Sequence, residues 1–154
     1  MLDHLRYAGL DDDGQRQALV RIVRANPVLM DVLEGLRAAA LPDYWIVAGA
    51  LYNEVWNALS GRPSLTGVKD IDVAYFNSSD LSYEAEDLVI RALGARFAHL
   101  AIPVEPRNQA RVHLWFQSRF GFAVPPLHAT AEALLRYSAR AHAVPVCLEP
   151  NNAI

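Results

Sequence analysis

Two carboxylates, Asp70 and Asp72, stand one residue apart in the apolar stretch 70–76. Side chains on a β-strand alternate between its two faces, so residues two apart lie close together on the same face. Two ionised carboxylates held so close repel each other unless a cation, a proton or water compensates their charge. On a strand, the pattern therefore indicates a platform for a divalent metal ion, or else a solvent-facing edge whose acids pair with Lys69 or an arginine.

The composition predicts a single folded domain over residues 1–154. The chain is 53% hydrophobic and 20% charged, which is unlike a disordered chain and sufficient for a core without disulfides. The formal net charge of −3 excludes the overall basic field typical of nucleic-acid-binding proteins, although a local basic patch remains open. Cys147 is the single cysteine, and its apolar neighbours favour a small buried side chain over a nucleophile.

The sequence lacks recognisable targeting segments. Its first residues have neither the cationic start nor the apolar run of a signal peptide. No apolar run reaches the roughly 20 residues that a membrane-spanning helix needs. We therefore expect a cytoplasmic protein with no membrane partner.

The apolar periodicity predicts helices alternating with short strands in one α+β (mixed α/β) domain. The predicted helices are 15–24, 27 to about 38, 50–59, 84–97, 109–119 and 130–138. The predicted strands are 44–48, 70–76, 101–104 and 143–148, with a loop over 60–67. The core-facing residues predicted from helix spacing and side-chain size include Leu51, Val55, Trp56, Leu59, Leu88, Val89, Ala92, Leu93, Trp45 and Trp115.

The order strand, glycine, helix, loop, Asp-x-Asp strand, helix and acidic strand resembles the nucleotidyltransferase fold of the DNA polymerase beta-like superfamily. Three segments, GALYNEVW (49–56), KDIDVAYF (69–76) and EPRNQARVHLW (105–115), resemble more closely a largely uncharacterised bacterial family of nucleotidyltransferases within it. The resemblance runs from about Leu41 to the end of the chain. It implies a small mixed sheet flanked by helices, with an N-terminal helical segment over 1–40 and a catalytic core over 41–154.

In that superfamily, two Asp on one strand and a third carboxylate on a neighbouring strand hold two Mg²⁺ ions. The resemblance therefore implies that Asp70 and Asp72 bind metal, with Glu105 as the third ligand and the activator of the acceptor hydroxyl. Carboxylates suit Mg²⁺, and phosphoryl-type transfer needs positioning and charge stabilisation more than a protein nucleophile. From the residues alone, Glu105 can also be an ordinary strand-end acid before a proline.

The resemblance also implies a triphosphate site at Gly49, where the backbone can approach a phosphate and a helix N-terminus favours anions. The chain departs from the superfamily in having Ala50 where a serine commonly binds phosphate, and in a longer gap before Lys69. Asn53, Arg62 or Lys69 could supply the missing contacts. We assign Gly49, Ala50, Asn53 and Lys69 to nucleotide binding, although Gly49 could simply end a strand and Asn53 could be a helix-surface residue.

Three polar residues, Arg107, Asn108 and Arg111, closely follow Glu105. An arginine beside acids is commonly an ion-pair partner, and it could equally bind a triphosphate or a nucleic-acid phosphate. We include Arg107 among the nucleotide-binding residues and leave Arg111 open. His113 is expected to be a packed or hydrogen-bonded histidine, because the spacing of the five histidines does not suggest a zinc site.

These expectations together describe a Mg²⁺-dependent nucleotidyltransferase that moves a nucleoside monophosphate from an NTP to a hydroxyl of an acceptor. The acceptor could be a small molecule, an RNA end or a protein, and the net acidity argues against a large nucleic-acid contact. The alternative is a non-catalytic nucleotide-binding or protein-interaction module that retains the scaffold. Ala50 and the lack of a recognisable acceptor domain support that alternative, and the oligomeric state stays open.

Overall fold

A three-stranded sheet forms the centre of the computed structural model, which describes residues 5–154. The strands are β1 (Trp45–Val47), β2 (Ile71–Tyr75) and β3 (Val104–Asn108), in the order β1-β2-β3. Strand β2 is antiparallel to β1 and parallel to β3, so the predicted small mixed sheet is confirmed. Residues 1–4 lie outside the described residues. They include the start of the predicted N-terminal helical segment and of the sequence that lacks signal-peptide features.

The helices that accompany the sheet are α1 (Asp12–Ala25), α2 (Pro27–Ala38), α3 (Gly49–Ser60), α4 (Tyr83–Arg96), α5 (Val112–Phe120) and α6 (Thr130–Leu134). Two 3₁₀ segments, Gln109–Arg111 and Arg140–Ala143, lie before α5 and after α6. Within residues 5–154, no helix has both the length and the hydropathy needed to cross a membrane.

Side-chain caps set the starts of α1 and α2. Helix α2 begins at Pro27 as predicted, whereas α1 begins at Asp12 rather than at residue 15. Asp11 accepts a hydrogen bond from the Gly14 N–H at 2.8 Å. Asn26 accepts from the N–H groups of Val28 and Leu29 at 3.0 and 3.1 Å. Each cap replaces a partner that the first turn of a helix lacks, and such caps stabilise a helix by about 1 kcal/mol.

One face of the sheet packs against α2 to form the core. The buried side chains on these two elements are Ile46, Ile71, Val73, Tyr75, Leu29, Val32, Leu33 and Leu36. Burying each large apolar side chain stabilises the fold by about 1.5–3 kcal/mol. Because alternate residues of a strand point to opposite faces, this packing turns Asp72 and Ala74 of β2 to the other face.

Several side chains predicted for the core are exposed instead. Trp56 is 54% exposed, Leu88 is 64% exposed and Trp115 is 40% exposed. Ala92 is also exposed, and Trp45 is only half-buried. Leu51 and Leu93 are buried as predicted. Helix spacing therefore identified the helices correctly but misplaced part of the buried face of α3 and α4.

The buried face of α3 is partly polar, which explains the misplacement. Glu54 and Asn57 are both buried. Glu54 accepts hydrogen bonds from the Ser64 hydroxyl at 2.6 Å and the Leu65 N–H at 2.8 Å. Asn57 donates to the carbonyl of Thr66 at 3.0 Å. The 61–67 loop satisfies these polar groups, so the helix can turn them inward without an unpaired buried charge or amide.

The boundaries of the later elements also differ from prediction. Strand β3 extends over Val104–Asn108 rather than 101–104, because it pairs along the whole of β2 from Ile71↔Val104 to Tyr75↔Asn108. Pro106 is tolerated because β3 is an edge strand. The stretch 143–148 makes a single antiparallel bridge, Ile46↔Val146, instead of a strand, and the predicted helix 130–138 is limited to α6.

Candidate active site

The register of the sheet brings two of the three predicted metal ligands side by side. Asp72 pairs with Glu105 across β2 and β3, and paired residues of neighbouring strands present their side chains to the same face. On its other side, Asp72 pairs with Val47, and α3 begins two residues later at Gly49. The acidic pair therefore lies near the turn that leads from β1 into α3.

The electrostatics of Asp72 show that the three acids share one region. Burial raises the pKa of Asp72, and the neighbouring charges of Asp70 and Glu105 raise it further. Arg107 and His142 oppose that increase and lower the pKa of Asp72. The ionised form of Asp72 is therefore destabilised in the folded protein, and a bound cation would offset that destabilisation.

The donor set suits Mg²⁺ chemically, because carboxylate oxygens are its preferred protein ligands. Within the described residues, however, no three His, Cys, Asp or Glu side chains form a group that could hold a metal ion as they stand. Glu105 is directed to Arg107, with 3.2 Å between its Oε2 and the arginine Nη2. Metal binding by all three acids would require Glu105 to leave Arg107.

The turn before α3 is strained at Ala48 rather than at Gly49. Ala48 has φ 57° and ψ −128°, a conformation that favours glycine. A Cβ added to Gly49 would meet Tyr52 Oη at 3.6 Å and Asn53 Nδ2 at 3.8 Å, both ordinary contacts. In the described chain, α3 has no side-chain cap. The N–H groups of Leu51 and Tyr52 donate to the Ala48 carbonyl. The N–H of Gly49, the first helical residue, has no such intrahelical partner and is suited to an anion.

The other residues assigned to nucleotide binding lie around this turn and the acids. Ala50 is fully buried in the core, backbone included. Asn53 is half-buried and donates to the Gly49 carbonyl at 2.9 Å. Lys69 and Arg107 are exposed, the first beside Asp70 and the second beside Glu105. Arg107 is held by Glu105 and by the Pro106 carbonyl. Ala50 cannot replace the serine hydroxyl.

Arg111 and Asn108, left open by the sequence, have structural partners. Arg111 forms an ion pair with Glu86, and the two side chains are only 12% and 11% exposed. Asn108 is buried, donates to the Asn77 carbonyl at 2.8 Å and accepts from the Asn77 N–H at 3.0 Å. The two residues thus hold the end of β3 against its neighbours. His113 is half-buried, and its Nδ1 is buried without a hydrogen-bond partner among residues 5–154.

Three aromatic residues near Asp72 were not identified from the sequence. The rings of Tyr52 and His142 are stacked, with centroids 5.0 Å apart and planes 10° apart. Tyr137 meets His142 nearly perpendicularly at 6.3 Å. Burial raises the pKa of Tyr137, and the charge of Asp72 raises it further. Tyr52 falls within the segment 49–56, but no motif marks Tyr137 or His142.

Cys147 is half-buried and packs against the core, as its neighbours predicted. Burial raises the pKa of its thiol, and the charges of Glu149 and Asp43 act in the same direction. A thiol with a raised pKa is a poor nucleophile at neutral pH. The acids near β2, and not Cys147, are therefore the candidates for chemistry.

Comparisons with known proteins agree with the fold. A family model described as nucleotidyltransferase matches residues 34–154. A solved structure, described as an NMR structure that reveals a CCA-adding enzyme head domain, is 28% identical to the chain. That similarity has a TM-score of 0.71 and covers 88% of this chain and 67% of the other. No curated protein sequence matches the chain. Since the family match spans most of its length, the chain belongs to this nucleotidyltransferase family.

Proposed function

We propose that the chain is a Mg²⁺-dependent enzyme that transfers a nucleoside monophosphate from an NTP to a hydroxyl of an acceptor. Its main support is the pairing of Asp72 with Glu105 in the β2–β3 register, with Asp70 close enough to affect the pKa of Asp72. We assign the catalytic core to residues 41–154 and expect it to act in the cytoplasm. The acceptor is a small molecule, an RNA end or a protein side chain.

In this proposal Asp70, Asp72 and Glu105 hold Mg²⁺, which when bound lowers the pKa of the acceptor hydroxyl and neutralises the phosphates. The acceptor oxygen forms a bond to the α-phosphorus, and the bond from that phosphorus to the β-phosphate oxygen breaks. Pyrophosphate leaves, and Glu105 accepts the hydroxyl proton. The N-terminus of α3 binds the phosphates through the Gly49 N–H and the helix dipole.

Arg107 has two successive partners in this scheme. Without ligand it compensates Glu105, to which it is bonded at 3.2 Å. When Glu105 turns to the metal, the guanidinium becomes free to bind a phosphate, for which its planar donors are well suited. Lys69, exposed beside Asp70, is the second cation that can reach the nucleotide.

Calorimetry with ATP, GTP, CTP and UTP, each with and without Mg²⁺, tests the nucleotide site. We expect binding of at least one NTP that depends on Mg²⁺ and is lost in Asp70→Ala. Glu34→Gln, an exposed acid of α2, is the matched control and should bind as the unchanged protein does. If no NTP binds in the presence of Mg²⁺, the proposed function is wrong.

Transfer is tested by pyrophosphate release in the presence of a cell extract that supplies acceptors. Release should require Mg²⁺ and disappear in Asp70→Ala. The second candidate function, a non-catalytic nucleotide-binding module, is favoured by the Glu105–Arg107 contact. That candidate predicts Mg²⁺-dependent NTP binding without pyrophosphate release.

A further inference from the structure

Three aromatic side chains connect the start of α3 with the acidic face of the sheet. Tyr52 lies in the first turns of α3, and its Oη is 3.6 Å from the position that a Cβ would take at Gly49. The Tyr52 ring stacks on His142, which belongs to the 3₁₀ segment Arg140–Ala143. His142 is in turn close enough to Asp72 to lower the pKa of its carboxyl group. Through Tyr52, His142 is therefore close to the start of α3, the proposed phosphate side of the site.

The polar ends of these rings have no hydrogen-bond partner among residues 5–154. In the part of the chain that the structure describes, the only buried side-chain N or O atom without a hydrogen bond is His113 Nδ1. The Tyr52 and Tyr137 hydroxyls and the His142 nitrogens make no hydrogen bond with residues 5–154 either, so they must reach solvent. Donors that are open to solvent beside a helix N-terminus without a side-chain cap are available to a ligand.

The packing of His142 indicates which part of a nucleotide it would contact. One face of its ring is covered by Tyr52, at a 10° interplanar angle. Tyr137 packs against the same ring at 73°. With a face covered and a perpendicular neighbour, the imidazole is better placed to hydrogen-bond through its edge than to stack on a nucleobase. Two aromatic contacts also restrict its rotation, so little side-chain entropy is lost on binding.

We propose that His142 and the Tyr52 hydroxyl bind the β- and γ-phosphates of the NTP, a step that rests on the proposed function. Together with the Gly49 N–H, they supply the hydrogen-bond donors that the Ala50 side chain lacks. The same donors would hold the leaving pyrophosphate, whose charge increases as the bond to the α-phosphorus breaks. Tyr137 is a positioning residue that keeps the imidazole in place.

The test compares ligands that have or lack the β- and γ-phosphates. Calorimetry in Mg²⁺ is carried out with the NTP that the unchanged protein binds, with its monophosphate and with pyrophosphate. His142→Gln should weaken NTP and pyrophosphate about tenfold, the effect of a lost hydrogen bond to a charged group. Tyr52→Phe keeps the ring and loses the hydroxyl, so it should weaken the same two ligands by a smaller factor. Monophosphate affinity should not change in either variant.

His128→Gln is the matched control, because His128 is exposed and its side chain makes no hydrogen bond with the described residues 5–154. Melting temperatures of all variants exclude a loss of fold as the cause. The inference is overturned if His142→Gln binds NTP and pyrophosphate as the unchanged protein does. It is also overturned if the monophosphate is weakened equally, since the rings would then bind the nucleoside. If the unchanged protein binds no NTP, the proposed function fails and the inference fails with it.

Discussion

Glu105 lies beside Asp72 in the β2–β3 pair, yet its carboxylate accepts a hydrogen bond from Arg107 at 3.2 Å. Arg107 also lowers the pKa of Asp72, so one guanidinium compensates two of the three neighbouring acids. In the proposed site, Arg107 and the metal ion therefore compete for the same negative charge. This competition has measurable consequences for metal affinity and for stability.

Replacing Arg107 with glutamine should increase Mg²⁺ affinity in the absence of nucleotide. The Arg107 and Glu105 side chains are 55% and 42% exposed, and an exposed pair contributes less than about 1 kcal/mol. We therefore expect about a two- to fivefold increase in affinity and little change in melting temperature. Calorimetry with Mg²⁺ alone provides the measurement, and Arg21→Gln, an exposed arginine of α1, is the control. Unchanged or weaker Mg²⁺ binding would contradict competition between Arg107 and the metal.

Replacing Asp72 with asparagine should stabilise the metal-free protein. Burial and the charges of Asp70 and Glu105 raise the pKa of Asp72 above its usual 3.8, so its ionised form destabilises the fold. Because the pKa is higher in the folded state, the folded protein binds the Asp72 proton more tightly than the unfolded chain does. This stabilisation is lost at high pH, where the proton dissociates in both states. At pH 7.5 we expect the melting temperature to increase by about 2–4 °C.

The pH dependence separates this effect from general changes in packing. The difference between Asp72→Asn and the unchanged protein should decrease as the pH falls through the raised pKa toward 3.8, because the Asp72 carboxyl then gains its proton in the folded protein. Thermal unfolding without Mg²⁺ measures it, with Glu34→Gln as the exposed control. Added Mg²⁺ should raise the melting temperature of the control and not of Asp72→Asn. If Asp72→Asn is less stable than the unchanged protein at pH 7.5, the negative charge of Asp72 does not destabilise the fold.

Glu54 anchors the loop that leads to the acidic strand. It is buried and accepts from the Ser64 hydroxyl and the Leu65 N–H, while Asn26 donates to Ser64 Oγ at 2.9 Å. Glu54→Ala leaves these donors without their acceptor, and we expect unfolding free energy to fall by about 1–3 kcal/mol. Urea unfolding measures that loss, and limited chymotrypsin cleavage at Leu65 should accelerate. Glu34→Ala is the exposed control, and equal effects of the two variants would exclude an anchoring role for Glu54.

The sequence identified elements and motifs that depend on local spacing. Asp70 and Asp72 are found by their two-residue separation, and α2 by the period of its apolar residues. The register that pairs Asp72 with Glu105 depends on which residue of β3 faces β2, and the predicted strand ended one residue before Glu105. From the sequence, the proximity of Asp72 and Glu105 could be expected only through the family resemblance.

Contacts between residues far apart in the chain could not be predicted from the sequence. Tyr52 and His142 are separated by most of the chain, and they meet because the Arg140–Ala143 segment packs on α3. Glu54 has the type and the helical position of a surface residue, and its burial follows from the conformation of a loop ten residues later. Such contacts leave no periodic pattern in the sequence. The apolar period of α3 therefore predicts a buried Trp56, although its polar neighbours are buried instead.

Replacing Ala48 with glycine should stabilise the protein. Ala48 lies at φ 57° and ψ −128°, and a non-glycine residue in such a region costs about 1–3 kcal/mol. Glycine removes the clash of the Cβ, although it also increases the entropy of the unfolded chain. We therefore expect a net gain of about 1 kcal/mol in the free energy of unfolding, measured with urea.

Ala92→Gly is the matched control for this substitution, because Ala92 lies in the exposed interior of α4. There the same change should cost about 1 kcal/mol, the difference in helix propensity between the two residues. Opposite signs for the two variants would locate the strain at the turn that opens the N-terminus of α3. If Ala48→Gly destabilises the protein as much as Ala92→Gly does, the turn before Gly49 is not strained, and the backbone there is an ordinary helix entry.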